Sequence, residues 1–451
     1  MKNKGQTKYD VIEKISEGGF SKVYLGRVQE GKQGNKKVII KEIQRCSVKG
    51  NDIINNEILI HTVLQNDYEQ EYFQQYGYSE NDKKQIDKYK DYQFVRLIDY
   101  FFKKDKAYLV QQFYNRGTFQ EYLNQQNKNN NNKTFTQVFC YIFSLIQAIK
   151  KLQEKKIIHC DIKPSNIFIK DSQNIVIGDF GLSKILGENQ EVCQSHQIQG
   201  TEAYMAPEII IQLNKYNKKK SQNKRQSLTL QKQQSSGVQL QKIPYSFACD
   251  IYSLGVLIYK SIFGINKYPY LYKLKMEIME KEDYSLQDID DQKIFQPLQQ
   301  NYTQSNKTFP IFLNTIGKIN QQKEDSYRCF MKQGSVDFDD QNNEILNEIK
   351  QLDREIKRDL VQFLEGLLDP NPETRFTMKQ IKNHNIYFYL EKIYNEEIQK
   401  QLIINQNEQK QQNDQIQYSN ISSETDIQFT LNESSEKSFS TNQNSYRDSD
   451  Q

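Results

Sequence analysis

From residue 9 to 43 short apolar runs alternate with polar residues around glycine turns. Val11-Ile12, Val23-Tyr24-Leu25 and Val38-Ile39-Ile40 read as strands of one sheet. Asn51 or Asp52 is placed to cap a helix running through Gln65, with Ile54, Ile58 and the Leu64 region on its buried side. Residues 67–92 are rich in Tyr, Gln and charge and read as an insertion; strand character returns at 94–102 and 107–113. Over 136–154, Val138, Ile142, Leu145, Ile149 and Leu152 recur at three- and four-residue steps, the single apolar stripe of a core helix. Further apolar helices are predicted at 249–263 and 356–368. Strands first and helices afterwards give an α+β order.

Composition changes this picture mainly in the second half. Only 36% of the 451 residues are apolar, and mean hydropathy is −0.84, so part of the chain is expected not to pack. The tract 212–243 is rich in Lys and Gln and holds no acid, 299–345 is mixed and polar, and 391–451 reads as a disordered tail rich in Ser, Asn and Gln. A net charge of +4 is too small to argue for nucleic acid or membrane. The basic tract could recruit an acidic partner; with Tyr216 its only aromatic residue, it supports nucleic-acid binding weakly. The six cysteines form no close CxxC pair, which suggests reduced thiols rather than a zinc site or a disulfide framework. No signal-peptide core opens the sequence, Lys2 excludes N-myristoylation, and no apolar run reaches the ~20 residues of a membrane span. A cytoplasmic or nuclear protein is the expectation.

The chemistry concentrates around residue 160. His159-Cys160-Asp161-Ile162-Lys163-Pro164-Ser165-Asn166 lies between the apolar pairs and triplets Ile157-Ile158 and Ile167-Phe168-Ile169, and Asp179-Phe180-Gly181 follows. A base for an attacking hydroxyl, a cation for a moving phosphoryl group and oxygen ligands for a metal are what phosphoryl transfer requires. These motifs resemble the catalytic and metal-binding loops of the eukaryotic protein kinases. The resemblance covers roughly residues 9–390. It implies a bilobal fold, with a small β-rich lobe and a larger helical lobe, and an ATP- and Mg2+-dependent enzyme acting on protein Ser and Thr residues. Asp161 would orient the hydroxyl and take its proton, Lys163 would neutralise the transferred group, Thr201 would support the acid, and Asn166 and Asp179 would bind magnesium. Lys163 and Thr201 are the residues that imply Ser/Thr specificity.

The nucleotide side is carried by weaker patterns. Ile15-Ser16-Glu17-Gly18-Gly19-Phe20-Ser21-Lys22-Val23 resembles a glycine-rich phosphate loop in which Ser16 and Ser21 stand at the outer glycine places. Gly18 and Gly19 could still bring backbone N–H groups to phosphate; a plain turn between strands is the other reading. Lys41 ends an apolar strand and would hold phosphates while pairing with Glu57; a solvated lysine and an exposed helix acid are the alternative. Ile39 adds bulk where a small residue is expected beside adenine. Gln111 would be the gatekeeper, Gln112 and Tyr114 would offer backbone to the base, and Phe168 would line its other face. His159, Phe180, Leu97 and His61 would form an internal hydrophobic column, in which His61 is an unexpected polar member. Cys160 replaces an arginine that gathers a phosphate on the activation segment, so activity is expected to depend less on such phosphorylation. Glu208 with Arg375, and Asp250 with the catalytic-loop backbone, complete the resemblance. Ser16, Ser21, Ile39 and His61 also motivate a competing reading, a kinase-like scaffold with weak or no turnover.

Overall fold

The computed structural model describes residues 9–18, 21–29, 36–45, 48–76, 91–125, 135–195, 200–210, 212, 243–263, 352–408 and 410–411. The expected insertion at 299–345 and most of the basic tract 212–243 lie outside the described residues. Two units divide the chain, Met1–Ile393 and Tyr394–Gln451.

The first unit opens with five antiparallel strands: β1 (Tyr9–Glu17), β2 (Ser21–Val28), β3 (Lys37–Gln44), β4 (Leu97–Lys103) and β5 (Lys106–Gln112), in the order β1-β2-β3-β5-β4. Alternation decides which face is wet. In β3, Val38 and Ile40 pack with Val28 and Val110, while Ile39 and Lys41 point to the opposite face. The register sets Ile39 against Gln111 and Lys41 against Leu109, so the four positions share that face. Phe94, expected to begin a strand, instead makes an isolated bridge to Ile177.

Helix α1 (Val48–Tyr76) packs against this sheet through Ile54, whose neighbours are Ile43, Leu97 and Leu109. It starts before the expected Asn51 or Asp52 and passes well beyond Gln65 into the stretch read as an insertion. Its outer turns meet groups distant in sequence: Glu71 lies 2.7 Å from Lys151, Asp67 lies 3.2 Å from Lys155, and the Tyr68 ring is 5.0 Å from that of Tyr92. Gln65 also clamps the start of β4, its Oε1 accepting from Leu97 N (2.7 Å) and its Nε2 donating to Leu97 O (3.2 Å).

The helical part follows with α2 (Phe119–Gln125), α3 (Phe135–Glu154), α4 (Phe247–Phe263), α5 (Arg354–Leu367) and α6 (Met378–Lys382). Helix α3 buries more than the expected stripe: Phe139, Cys140, Tyr141 and Ile146 are covered as well, because other elements enclose it on most sides. Between α3 and α4 lie short strands: β6 (Ile157–Ile158), β7 (Ile167–Ile169), β8 (Ile175–Ile177), β9 (Lys184–Ile185), β10 (Cys193–Ser195) and β11 (Ile243–Tyr245). β6 pairs with β9, β7 with β8, and β10 with β11. A core cluster of Ile158, Tyr204, Met205, Tyr245, Tyr252 and Val256 joins them to α4. Residues 385–408 are helical, so the first part of the segment read as a tail from 391 is a helix. Among the described residues no helix is long and apolar enough to cross a membrane. The fold is α+β, with an N-terminal antiparallel sheet and a helical C-terminal part.

Candidate active site

The loop after β6 owes its shape to Asp250, buried near the start of α4. One carboxylate oxygen accepts from His159 N at 2.6 Å and the other from Cys160 N at 2.9 Å. Held this way, Cys160 adopts a left-handed φ of 66°, uncommon outside glycine. Cys160 is half-buried. The four described cysteines are all free thiols.

Downstream, Pro164–Asn166 forms a single 3-10 turn that feeds directly into β7. Asp161 is gripped from several sides. Its Oδ1 accepts from Thr201 N and Thr201 Oγ1, both at 3.0 Å, and its Oδ2 from Asn166 Nδ2 at 3.0 Å. Lys163 Nζ lies 2.7 Å from Asp161 Oδ2 and donates to Thr201 Oγ1 at 2.8 Å. The carboxylate plane is therefore fixed by backbone, hydroxyl, amide and ammonium donors together.

The β7–β8 hairpin brings the next pair together. Ile167 sits opposite Ile177, and Gly178 N donates to Asn166 O at 2.9 Å, so Asn166 and Asp179 lie at the same end of the hairpin. Asp179 has φ 64° and 44% of its side chain accessible. Its Oδ1 meets Lys41 Nζ at 2.7 Å. Lys41 also reaches both oxygens of Glu57, at 2.9 and 2.8 Å, and Glu57 is wholly buried. Burial works to lower the Lys41 pKa, but the charges of Asp179 and Glu57 outweigh it and hold the ammonium above the ordinary lysine range. The Lys41 charge in turn lowers the Asp179 carboxyl to about 2, against the opposing effect of burial. The alternative of a solvated Lys41 and an exposed Glu57 is excluded by these contacts.

Phe180 is enclosed by rings. His61 meets it edge-on at 5.0 Å, His159 at 5.3 Å and Phe94 at 6.1 Å. His159 Nδ1 accepts from Asp161 N (3.2 Å), which leaves Nε2–H to donate to Gly178 O (3.1 Å). Burial, and secondarily the nearby Lys41 charge, push the His61 imidazole down to about 3, so it is neutral. Sequence reasoning missed Asn56, whose Nδ2 donates to Phe180 O at 3.0 Å and Ser183 O at 2.6 Å, tying α1 to the loop after Asp179. Only its position next to Glu57 could have drawn attention to it.

The remaining expected nucleotide residues sit around the cleft. Gly18 N–H is used within the β1–β2 turn, donating to Ser21 O at 2.8 Å, and Gly19 lies outside the described residues. Ile15 is exposed, while Val23 and Ile39 are half-buried. Gln112 N–H donates to Arg96 O at 3.0 Å, which leaves its carbonyl as the group that could face a base. The rings of Tyr114 and Phe168 approach to 6.1 Å. Far from the cleft, Arg375 grips Glu208 in a bidentate pair at 2.8 and 2.9 Å and covers the Tyr252 ring at 5.1 Å.

Parts of the chain are similar to known proteins. Residues 78–223 match the family model described as protein kinase domain. The chain is 37% identical over 121 residues to the Arabidopsis thaliana putative L-type lectin-domain containing receptor kinase V.6, covering 26% of this chain and 23% of that protein. It is 26% identical over 260 residues to Arabidopsis thaliana cysteine-rich receptor-like protein kinase 11, covering 57% of this chain and 30% of the relative. It is 25% identical over 258 residues to the Homo sapiens serine/threonine-protein kinase Nek5, covering 56% and 27%. The matched stretches thus span about a quarter to a third of these relatives. The family match begins after Lys41 and Glu57; the sheet and α1 bring those two residues to Asp179 in the matched stretch. The matched stretch and these relatives support a eukaryotic protein kinase, with no subgroup assigned.

Proposed function

We propose that this chain transfers the γ-phosphoryl group of ATP to serine and threonine hydroxyls of proteins, with magnesium. One observation supports this most: Thr201 Oγ1 donates to Asp161 Oδ1 while accepting from Lys163, which itself pairs with Asp161. An acceptor oxygen and a mobile cation are thereby set side by side next to the hydroxyl that selects their spacing. Asp161 takes the proton of the incoming alcohol, and Lys163 turns to the phosphoryl group as charge develops on it. Lys41, held by Glu57, binds the phosphates of ATP.

The donor set fits magnesium. Asn166 spends its Nδ2 on Asp161, so its oxygen faces away from that contact, and Asp179 is an accessible carboxylate at the same hairpin end. Among the described residues no group of three acidic, His or Cys side chains could hold a metal; a pair of oxygen ligands completed by phosphates and water is what magnesium accepts. Bound magnesium would neutralise phosphate oxygens and orient them for in-line attack. An acidic protein partner fits the charge of the tract 212–243, and reduced cysteines fit the cytoplasm or nucleus.

The test is phosphate transfer from radiolabelled ATP to generic protein substrates, with phosphoamino-acid analysis, for wild type and Asp161→Asn. The variant is expected to lose roughly 10²–10⁴-fold in rate while keeping its Mg-ATP affinity. A wild type that binds Mg-ATP yet transfers no faster than Asp161→Asn defeats the reading in favour of a scaffold. Label on tyrosine alone defeats the Ser/Thr assignment.

A further inference from the structure

Behind the Lys41–Glu57 pair, the wall of the cleft is polar where packing alone would favour apolar side chains. Gln111, on β5 opposite Ile39, is buried. Its carboxamide nitrogen donates to Glu57 Oε1 at 3.3 Å and lies 3.2 Å from His61 Nε2. Glu57 and His61 stand four residues apart on α1, hence on one face, and neither has any accessible surface. One NH2 group has two hydrogens, and here it meets two acceptors. With the carboxamide nitrogen facing it, His61 Nε2 takes the acceptor role, which puts the imidazole proton on Nδ1, a buried atom with no hydrogen-bond partner among the described residues. The neutral ring fills that role at any working pH. His61 in turn meets Phe180 edge-on, so the amide of β5 is linked to the helix carboxylate on one side and to the loop of Asp179 on the other.

Lys41 is pulled by two acids, since Asp179 lies as near to it as Glu57 does. What keeps Glu57 in place therefore matters to where Lys41 points. We propose that Gln111 and His61 are positioning residues: the Gln111 carboxamide, oriented by His61, fixes the Glu57 carboxylate and through it the reach of Lys41 toward the nucleotide's phosphates. The proposal rests on the kinase reading, and it assigns to two residues a role that an apolar pair of the same size could not fill. Glu57 Oε1 is buried, and removing a donor from a buried carboxylate leaves it free to rotate toward other partners or to draw water.

The deciding variant is Gln111→Met, which keeps chain length and volume while deleting both hydrogens. Mg-ATP dissociation constants, kcat, KM for ATP and thermal midpoints are measured on the full chain. For Gln111→Met, affinity is expected to weaken and kcat to fall by about three- to tenfold each, with the thermal midpoint within a few degrees of wild type. His61→Leu is expected to move the same constants less, and His61→Gln, which restores an acceptor, to recover them. Gln111→Met within about twofold of wild type in both affinity and kcat overturns the proposal, as does a large drop in midpoint with unchanged constants per folded molecule. His61→Gln no better than His61→Leu removes His61 from it. Should wild type bind Mg-ATP without transferring phosphate, the kinase reading fails by itself, and the dissociation constants of the variants still decide this one.

Discussion

Two buried ion-pair centres among the described residues, around Arg375 and around Lys41, are built differently. Arg375 is closed: Nε donates to Asp369 O, Nη1 to Glu208 Oε1 and Ala248 O, and Nη2 to Glu208 Oε2 and Pro370 O. Those contacts use every N–H the guanidinium has. Lys41 is open by contrast: it divides itself between Glu57 and an Asp179 that remains accessible on the cleft side. A saturated pair has nothing left to give a ligand and serves the fold. A cation shared with an accessible carboxylate keeps a contact it can exchange, and under the proposed function that contact is where phosphate would enter.

The comparison can be broken most forcefully at the closed centre. Arg375→Met would leave Glu208 charged and buried with no partner, an expected loss of about 3–5 kcal/mol in chemical denaturation. Nucleotide affinity of the remaining folded fraction should be unchanged; a normal denaturation midpoint would sink the distinction. Next comes Glu365, an acid with no ion pair among the described residues. Burial raises the Glu365 carboxyl to about 7, and its Oε1 has no hydrogen-bond partner among the described residues. Between the unfolded value of 4.5 and about 7 the unfolded chain has released a proton that the folded chain keeps, so stability falls as pH rises through that window and levels off above it. Glu365→Gln should match wild type near pH 4 and exceed it by about 1–3 kcal/mol near pH 8, read from denaturant midpoints at the two pH values. The smallest effect belongs to the exposed pair of Glu71 and Lys151. Glu71→Gln should cost under about 0.5 kcal/mol and less still in high salt, measured by thermal melting.

How much of this could be read from the residues alone depended on distance along the chain. Asp161, Lys163 and Asn166 lie within one short loop, so their grouping needed only local order. Helix α3 was visible to within one residue at its start, because its apolar repeat is unbroken. The length of α1 was not visible. Residues 66–76 carry aromatic rather than aliphatic residues at helical spacing, and their recorded partners are the Tyr92 ring and lysines some 80 residues later. The same limit hid the Gln111 contacts, which cross 54 and 50 residues with no local mark. Residues 391–408 are mostly exposed and polar, so a periodicity argument had no core face to find.

The length of α1 has a mechanical consequence. Between Glu57 and Glu71 the helix runs about 21 Å at 1.5 Å per residue, a stiff rod with the Lys41 contact part-way along it and anchors to Lys151 and Lys155 near its end. Exposed pairs of that kind guide the outer end of the rod without locking it. A swing that carries Glu57 away from Lys41 is passed along the same stiff axis, so the outer turns move with it and their weak contacts bias its direction.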